Sequence, residues 1–160
     1  MWKVEVIADN SGEWAGNAMR YETKEEAEAA ARDLASRWLL VRKWRVVKTK
    51  RTIIEETVEY YSEHPRGVTV VGHCEYAVNG THCAVGRCLI DPVEFQKVVG
   101  SSSIKKSMRL DENLKPEYRG HEIDFWKDLQ VFHDNSFNWG KDGLTVDGRE
   151  AFESLLERWS

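Results

Sequence analysis

Apolar and polar residues alternate at the start of the chain. Trp2, Val4 and Val6 are separated by Lys3 and Glu5, and Ile7 and Ala8 follow. A period of two is the pattern of a strand with one buried face. Asp9-Asn10-Ser11-Gly12 is rich in turn formers and predicts a reversal, with a return strand at Ala18 to Tyr21. The period then lengthens. Thr23 and Glu26 have the spacing of a capping box. Ala27, Ala30, Ala31, Leu34, Ala35 and Trp38 recur three and four apart, which is one face of a helix. Val41 to Thr49 is rich in β-branched residues and reads as a third strand. The sum is a β-β-α-β module over residues 1–50, a short sheet with one helix on one face.

Residues 51–160 read as a second module. Thr52 to Glu63 fits a helix that starts from a Thr52/Glu55 capping box and carries Ile54, Val58 and Tyr61 as its stripe. The same letters are β-branched enough for a strand, and Pro65 and Gly67 end the element either way. Asn79-Gly80 between two short apolar runs is the signature of a type I′ hairpin, predicted over residues 73–86. Pro92 opens a helix from Asp91 to about Val99. Gly100 to Gly120, with three consecutive serines and several lysines, reads as a mobile loop. Glu122 to His133 is a helix with Phe125, Trp126, Leu129 and Phe132 inward, and Asp134 to Gly143 is a loop. Asp147 with Glu150 is expected to cap a last helix that turns Ala151, Phe152, Leu155, Leu156 and Trp159 inward. The expected class is α+β: a small β-β-α-β module followed by a helix-rich module with one β-hairpin.

Composition changes this picture little. Of 160 residues, 41% are hydrophobic and 31% charged, which is globular rather than disordered. A net charge of −4 predicts no bulk attraction to nucleic acid or to an anionic membrane. No apolar run approaches the ~20 residues of a membrane span. The first residues read as a strand and not as a signal peptide. Three cysteines cannot all pair, which favours a reducing cytoplasm.

Candidate chemistry is thin. His73, Cys74, His82, Cys83 and Cys88 are the residue types of a zinc site, but hairpin alternation puts Cys74 and Cys83 on one face and His73 and His82 on the other. The thiols are therefore expected to be small buried hydrophobes, with no metal and no cofactor. Cys88 with His133 and Asp134 is a candidate nucleophile, base and orienter. Adjacent His and Asp at a helix end usually point apart, and His133 can instead favour the helix C-terminus as a cation. Asp134, Ser136, Asn138 and Asp142 suggest a calcium loop, but Trp139 and Thr145 occupy the positions that need Gly and Glu. Phosphate-loop, dinucleotide, serine-hydrolase and zincin motifs are absent.

The basic stretch is more informative. Arg37, Arg42, Lys43, Arg45, Lys48, Lys50 and Arg51 lie in a segment with no acid from Leu34 to Ile54, interleaved with Trp38 and Trp44. Basic strands with aromatics can bind nucleic acid, although acids of the neighbouring helix could pair with them. The candidate partner-binding residues are Trp14, Arg42, Lys43, Trp44, Arg45, Lys48, Lys50 and Arg51.

The loop Asn10-Ser11-Gly12-Glu13-Trp14, the helix start Thr23-Lys24-Glu25-Glu26-Ala27, and Arg37-Trp38 followed by Arg42-Lys43-Trp44-Arg45-Val46-Val47 together resemble a short module of phage-encoded proteins of unknown function. The second module resembles small uncharacterised bacterial and phage proteins. The resemblance is carried by Cys83-Ala84-Val85-Gly86, Cys88-Leu89-Ile90-Asp91-Pro92, Leu129-Gln130-Val131-Phe132-His133-Asp134 and Trp139, with Arg87 where those proteins have small or apolar residues. The resemblance implies phage or mobile-element company in a bacterial cytoplasm, and no reaction. The expected function is a non-catalytic accessory protein that binds a host protein, such as an anti-CRISPR-like inhibitor of a nucleic-acid-binding defence enzyme. The alternatives are a nucleic-acid-binding module using residues 37–51, and a cysteine-dependent enzyme.

Overall fold

A computed structural model describes residues 1–8, 10–67, 75–100, 104–105 and 109–159. The chain is an α+β protein. Strands β1 (Trp2–Ile7), β2 (Ala15–Gly16) and β3 (Lys43–Lys48) form an antiparallel sheet in the order β2-β1-β3, with helix α1 (Lys24–Arg37) between β2 and β3 in sequence. Register pairs Val4 with Val46 and Val6 with Trp44. Val4, Val6 and Val46 therefore share the face on which α1 packs, and they form a small core with Ala27 and Ala31. The methyl side chains let α1 lie close to the sheet. The capping box forms as its spacing requires: Thr23 Oγ1 accepts from the Glu26 amide, and Glu26 Oε2 accepts from the Thr23 amide at 3.1 Å. Two details differ from expectation. The return pairing begins at Ala15 and Gly16, and Tyr21 alone then bridges Trp2, because the Asn17 side chain accepts from the Met19 amide and turns the chain between them. Trp38 lies just past the end of α1 and is exposed, not inward.

Helix α2 (Lys50–Glu63) follows β3 after a single residue. Its cap is Thr49, whose hydroxyl accepts from the Thr52 amide, so the helix starts before the Thr52/Glu55 box expected of it. Ile53, Ile54, Thr57 and Tyr61 are buried at helical spacing, which leaves no strand here. Helices α3 (Pro92–Val99, capped by Asp91), α4 (Leu110–Asn113), α5 (Ile123–Asp134) and α6 (Val146–Trp159) complete the second part, with a two-residue ribbon of β4 (Trp139–Gly140) and β5 (Gly143–Leu144) between α5 and α6. A larger core joins Ile53, Ile54, Tyr61, Phe125, Trp126, Leu129, Leu155 and Leu156. Among the described residues no helix is long and apolar enough to cross a membrane.

The hairpin is shorter than predicted. Asn79 and Gly80 both take positive φ, and Val78 pairs with Thr81, so the type I′ turn is present. The ladder then breaks. Gly67 inserts beside it, donating to the His82 carbonyl and accepting from the Glu75 amide, while Cys83 donates to the Glu75 carbonyl, so Tyr76 is not opposite Cys83. Residues 73 and 74 of the predicted hairpin lie outside the described residues. Beyond Cys83 the chain turns into a 3-10 helix at Gly86–Cys88. A Cβ at Gly86 would run into the Tyr76 carbonyl oxygen, so only glycine allows this approach. The segment expected to be a mobile loop, Gly100 to Gly120, puts Ile104, Leu110, Leu114 and Tyr118 into the large core; residues 101–103 and 106–108 lie outside the described residues. The cap of α6 is Thr145, whose hydroxyl accepts from the Gly148 amide, not Asp147. A threonine directly before the first helical residue reaches that amide, and Asp147 is already inside the first turn.

Candidate partner-binding surface

The structure does not present the basic stretch as a continuous strip. Arg45 lies opposite Glu5 in the β1–β3 register, and its Nε donates to Glu5 Oε2 at 2.7 Å while Trp14 packs against the guanidinium at 4.2 Å. Lys48 Nζ meets Glu56 Oε1 at 2.6 Å. Lys50 pairs with Glu122 at 2.7 Å, and Arg51 with Glu55 at 2.8 Å. Arg37 pairs with Asp33 one helical turn back. Five of the seven cations thus have a carboxylate partner within the chain. Arg42 and Lys43 are exposed and have no ion pair among the described residues.

Glu56 is the centre of a polar network where the two cores meet. It lies on α2 and takes Lys48 from β3. Its Oε2 accepts from the Tyr118 hydroxyl at 3.3 Å and lies 3.9 Å from the Arg87 guanidinium. Arg87 also donates to Thr57 Oγ1 at 3.2 Å. The side chains of Lys48 and Arg87 are each 15% exposed. Burial alone would lower the Lys48 pKa, but hydrogen bonds to Glu56 and Tyr118 reverse this and raise it. Arg87 is therefore the tie between the 3-10 turn, α2 and Tyr118, and this network is structural.

Sequence reasoning missed two residues. Past the last turn of α1, Leu39 is 95% exposed and Leu40 60% exposed. They stand between Trp38 and the Arg42–Lys43 pair, and Trp44, at the start of β3, is also exposed. Val41 is the only member of the run Trp38-Leu39-Leu40-Val41 that packs on the small core. A four-residue apolar run that leaves the helical stripe was the available signal, since such runs stay exposed only where something covers them.

The remaining candidates do not assemble. Cys83 and Cys88 are fully buried free thiols. Cys88 Sγ donates to the Ala84 carbonyl, and burial pushes its pKa up to about 12. His133 and Asp134 do pair, Nδ1 to Oδ1 at 3.0 Å, although adjacent residues at a helix end were expected to diverge. The other His133 nitrogen is buried without a partner, so Cys88 and His133 are not joined. Burial lowers the His133 pKa, and the Asp134 hydrogen bond only partly restores it. Of the five zinc-type residues, His73 and Cys74 lie outside the described residues. Among the described residues no three His, Cys, Asp or Glu side chains cluster as metal ligands.

No protein-family model matches the chain, and no curated protein and no solved structure matches it either.

Proposed function

We infer that this protein acts by binding another protein, without catalysis, through the end of the first module built from Trp38, Leu39, Leu40 and Trp44. One observation carries the reading: two leucines exposed side by side, beside two cations that have no ion pair among the described residues. Exposed apolar residues of this kind mark contact surfaces, and buried aromatics are the usual anchors of an interface. The cations select the partner's rim, which is acidic around an apolar centre.

The finer form of the reading is a phage or mobile-element accessory protein that antagonises a host defence system in the manner of an anti-CRISPR. Its support is the resemblance of both modules to phage proteins. A defence enzyme bound at this end would be engaged on an acidic face and not in its nucleic-acid channel. A nucleic-acid strip along residues 37–51 has less support, because five of its seven cations are already paired.

The test is co-purification from bacterial lysate with the wild type and with Leu39→Glu/Leu40→Glu, at several salt concentrations. The reading expects a protein held by the wild type, released by added salt and absent with the variant. Identical capture by both chains would remove it.

A further inference from the structure

On the side of the sheet away from α1, a cavity of about 310 Å³ opens between β1, the start of α2 and the end of α6. Its walls include Lys3, Arg20, Thr49, Lys50, Arg51 and Trp159. Four of these are cations and none is an acid, in a chain whose net charge is −4. Three of the cations have carboxylate partners, Glu5, Glu122 and Glu55, but those acids stand outside the cavity wall. Among the described residues Arg20 donates only to the Asn17 and Met19 carbonyls, so its charge is not neutralised by these bonds.

The backbone adds to the same field. The first turn of α2 carries Lys50 and Arg51 and no acid. Cations at a helix N-terminus oppose the helix dipole, whose positive end favours an anion. The Thr49 hydroxyl takes the Thr52 amide and the Thr49 carbonyl takes the Ile53 amide. Helix geometry leaves the amides of Lys50 and Arg51 without an intrahelical acceptor. Opposite them, Trp159 supplies an aromatic wall. Its indole is fixed by a 3.0 Å hydrogen bond from Nε1 to Asp128, and Lys50 Nζ lies 4.4 Å from its ring centroid.

We propose that this cavity binds a nucleoside phosphate, with the phosphate held by Arg20, Lys50 and Arg51 at the start of α2 and the base against Trp159. Glu122 and Glu55 are exposed, so a phosphate can take over Lys50 and Arg51 from them beside amides that have no intrahelical acceptor. An aromatic wall beside them recognises a planar ring. The volume is near the lower end of ligand pockets, ~300–1,000 Å³, which suits one nucleotide unit. The same chemistry is offered by a free nucleotide and by the 5′-phosphorylated end of a single strand. The site is separate from the Leu39–Leu40 surface, and neither proposal depends on the other.

Calorimetric titrations with adenosine 5′-monophosphate, adenosine, inorganic phosphate, and a thymidine decamer with and without a 5′-phosphate test the assignment. The monophosphate is expected to bind at least ~10-fold more tightly than adenosine or inorganic phosphate, and to weaken as salt rises. Arg20→Gln/Arg51→Gln, both exposed and checked for folding by circular dichroism, should lose at least ~10-fold. If the phosphorylated decamer binds more tightly than the mononucleotide, the source is a strand end; if not, it is a free nucleotide. Equal affinity for the monophosphate and adenosine, equal affinity for the monophosphate and inorganic phosphate, or unchanged binding by the double variant would overturn the proposal.

Discussion

Glu56→Gln keeps the shape of the side chain and removes one charge from the junction between the two cores. The carboxylate neutralises Lys48 at 2.6 Å and faces Arg87 at 3.9 Å, with both cations largely buried. Removing one partner of a fully buried ion pair costs ~3–5 kcal/mol, because the other charge stays desolvated. Glu56 is 28% exposed, so water screens part of this, and a loss of about 2–3 kcal/mol is expected. Lys48→Met should cost less, about 1 kcal/mol, since Arg87 remains to face Glu56. The two changes share one interaction, so the double variant should be more stable than additivity predicts by ~1–2 kcal/mol. Urea unfolding followed by tryptophan fluorescence reads these values. With a slope of ~2 kcal/mol per molar, Glu56→Gln should lower the midpoint by about 1 M. A shift below ~0.25 M, or additivity of the two changes, would refute the reasoning and reduce the network to a surface ion pair.

Three further outcomes follow from the same structure. His121 is buried, and burial first and Lys3 second depress its pKa to about 4 from 6.5. The folded state thus refuses a proton that the unfolded chain accepts, so this contribution is intact above pH 6.5 and is lost as pH falls from 6.5 towards 4, by up to ~3 kcal/mol. Urea midpoints across that window should fall less steeply in His121→Gln, and equal slopes would contradict the assignment. Gly86→Ala forces a methyl into the Tyr76 carbonyl and should lower the midpoint by the equivalent of ~1–3 kcal/mol or prevent folding; an unchanged midpoint would show that the 3-10 turn can shift. In a Cys74→Ser background, Cys83 and Cys88 should resist a thiol reagent at pH 8 and both react in denaturant, and rapid labelling of the native protein would show that the core opens.

Local signals were legible where one short-range interaction decides the structure. The Thr23/Glu26 box, the Asp91-Pro92 start and the Asn79-Gly80 turn each depend on residues three or fewer apart, and each is present. The periodicity of Phe125, Trp126, Leu129 and Phe132 also survives into the core. What was not legible depends on distant chain. The hairpin ladder is broken by Gly67, which arrives from before the turn. Residues 109–120 are polar in sequence, yet Leu110, Leu114 and Tyr118 reach the core at spacings of four, too short a run to register as a helix. For the candidate surface, the cations of residues 37–51 were visible, but their fate was not. Glu5 and Glu122, which take up Arg45 and Lys50, are 40 and 72 positions away. The run Trp38 to Val41 was a local signal for Leu39 and Leu40, but whether such a run is covered is decided by distant chain.

Because the sheet order is β2-β1-β3, strand β3 has a neighbouring strand along one side only among the described residues. Its outer backbone could template a strand from another molecule, the first step towards swapped or fibrillar assemblies. Lys43 is exposed on that strand and has no ion pair among the described residues, a charge that an added strand would have to bury. A cation left without an acid thus also serves colloidal stability, and replacing Lys43 with valine would turn a guarded margin into a sticky one.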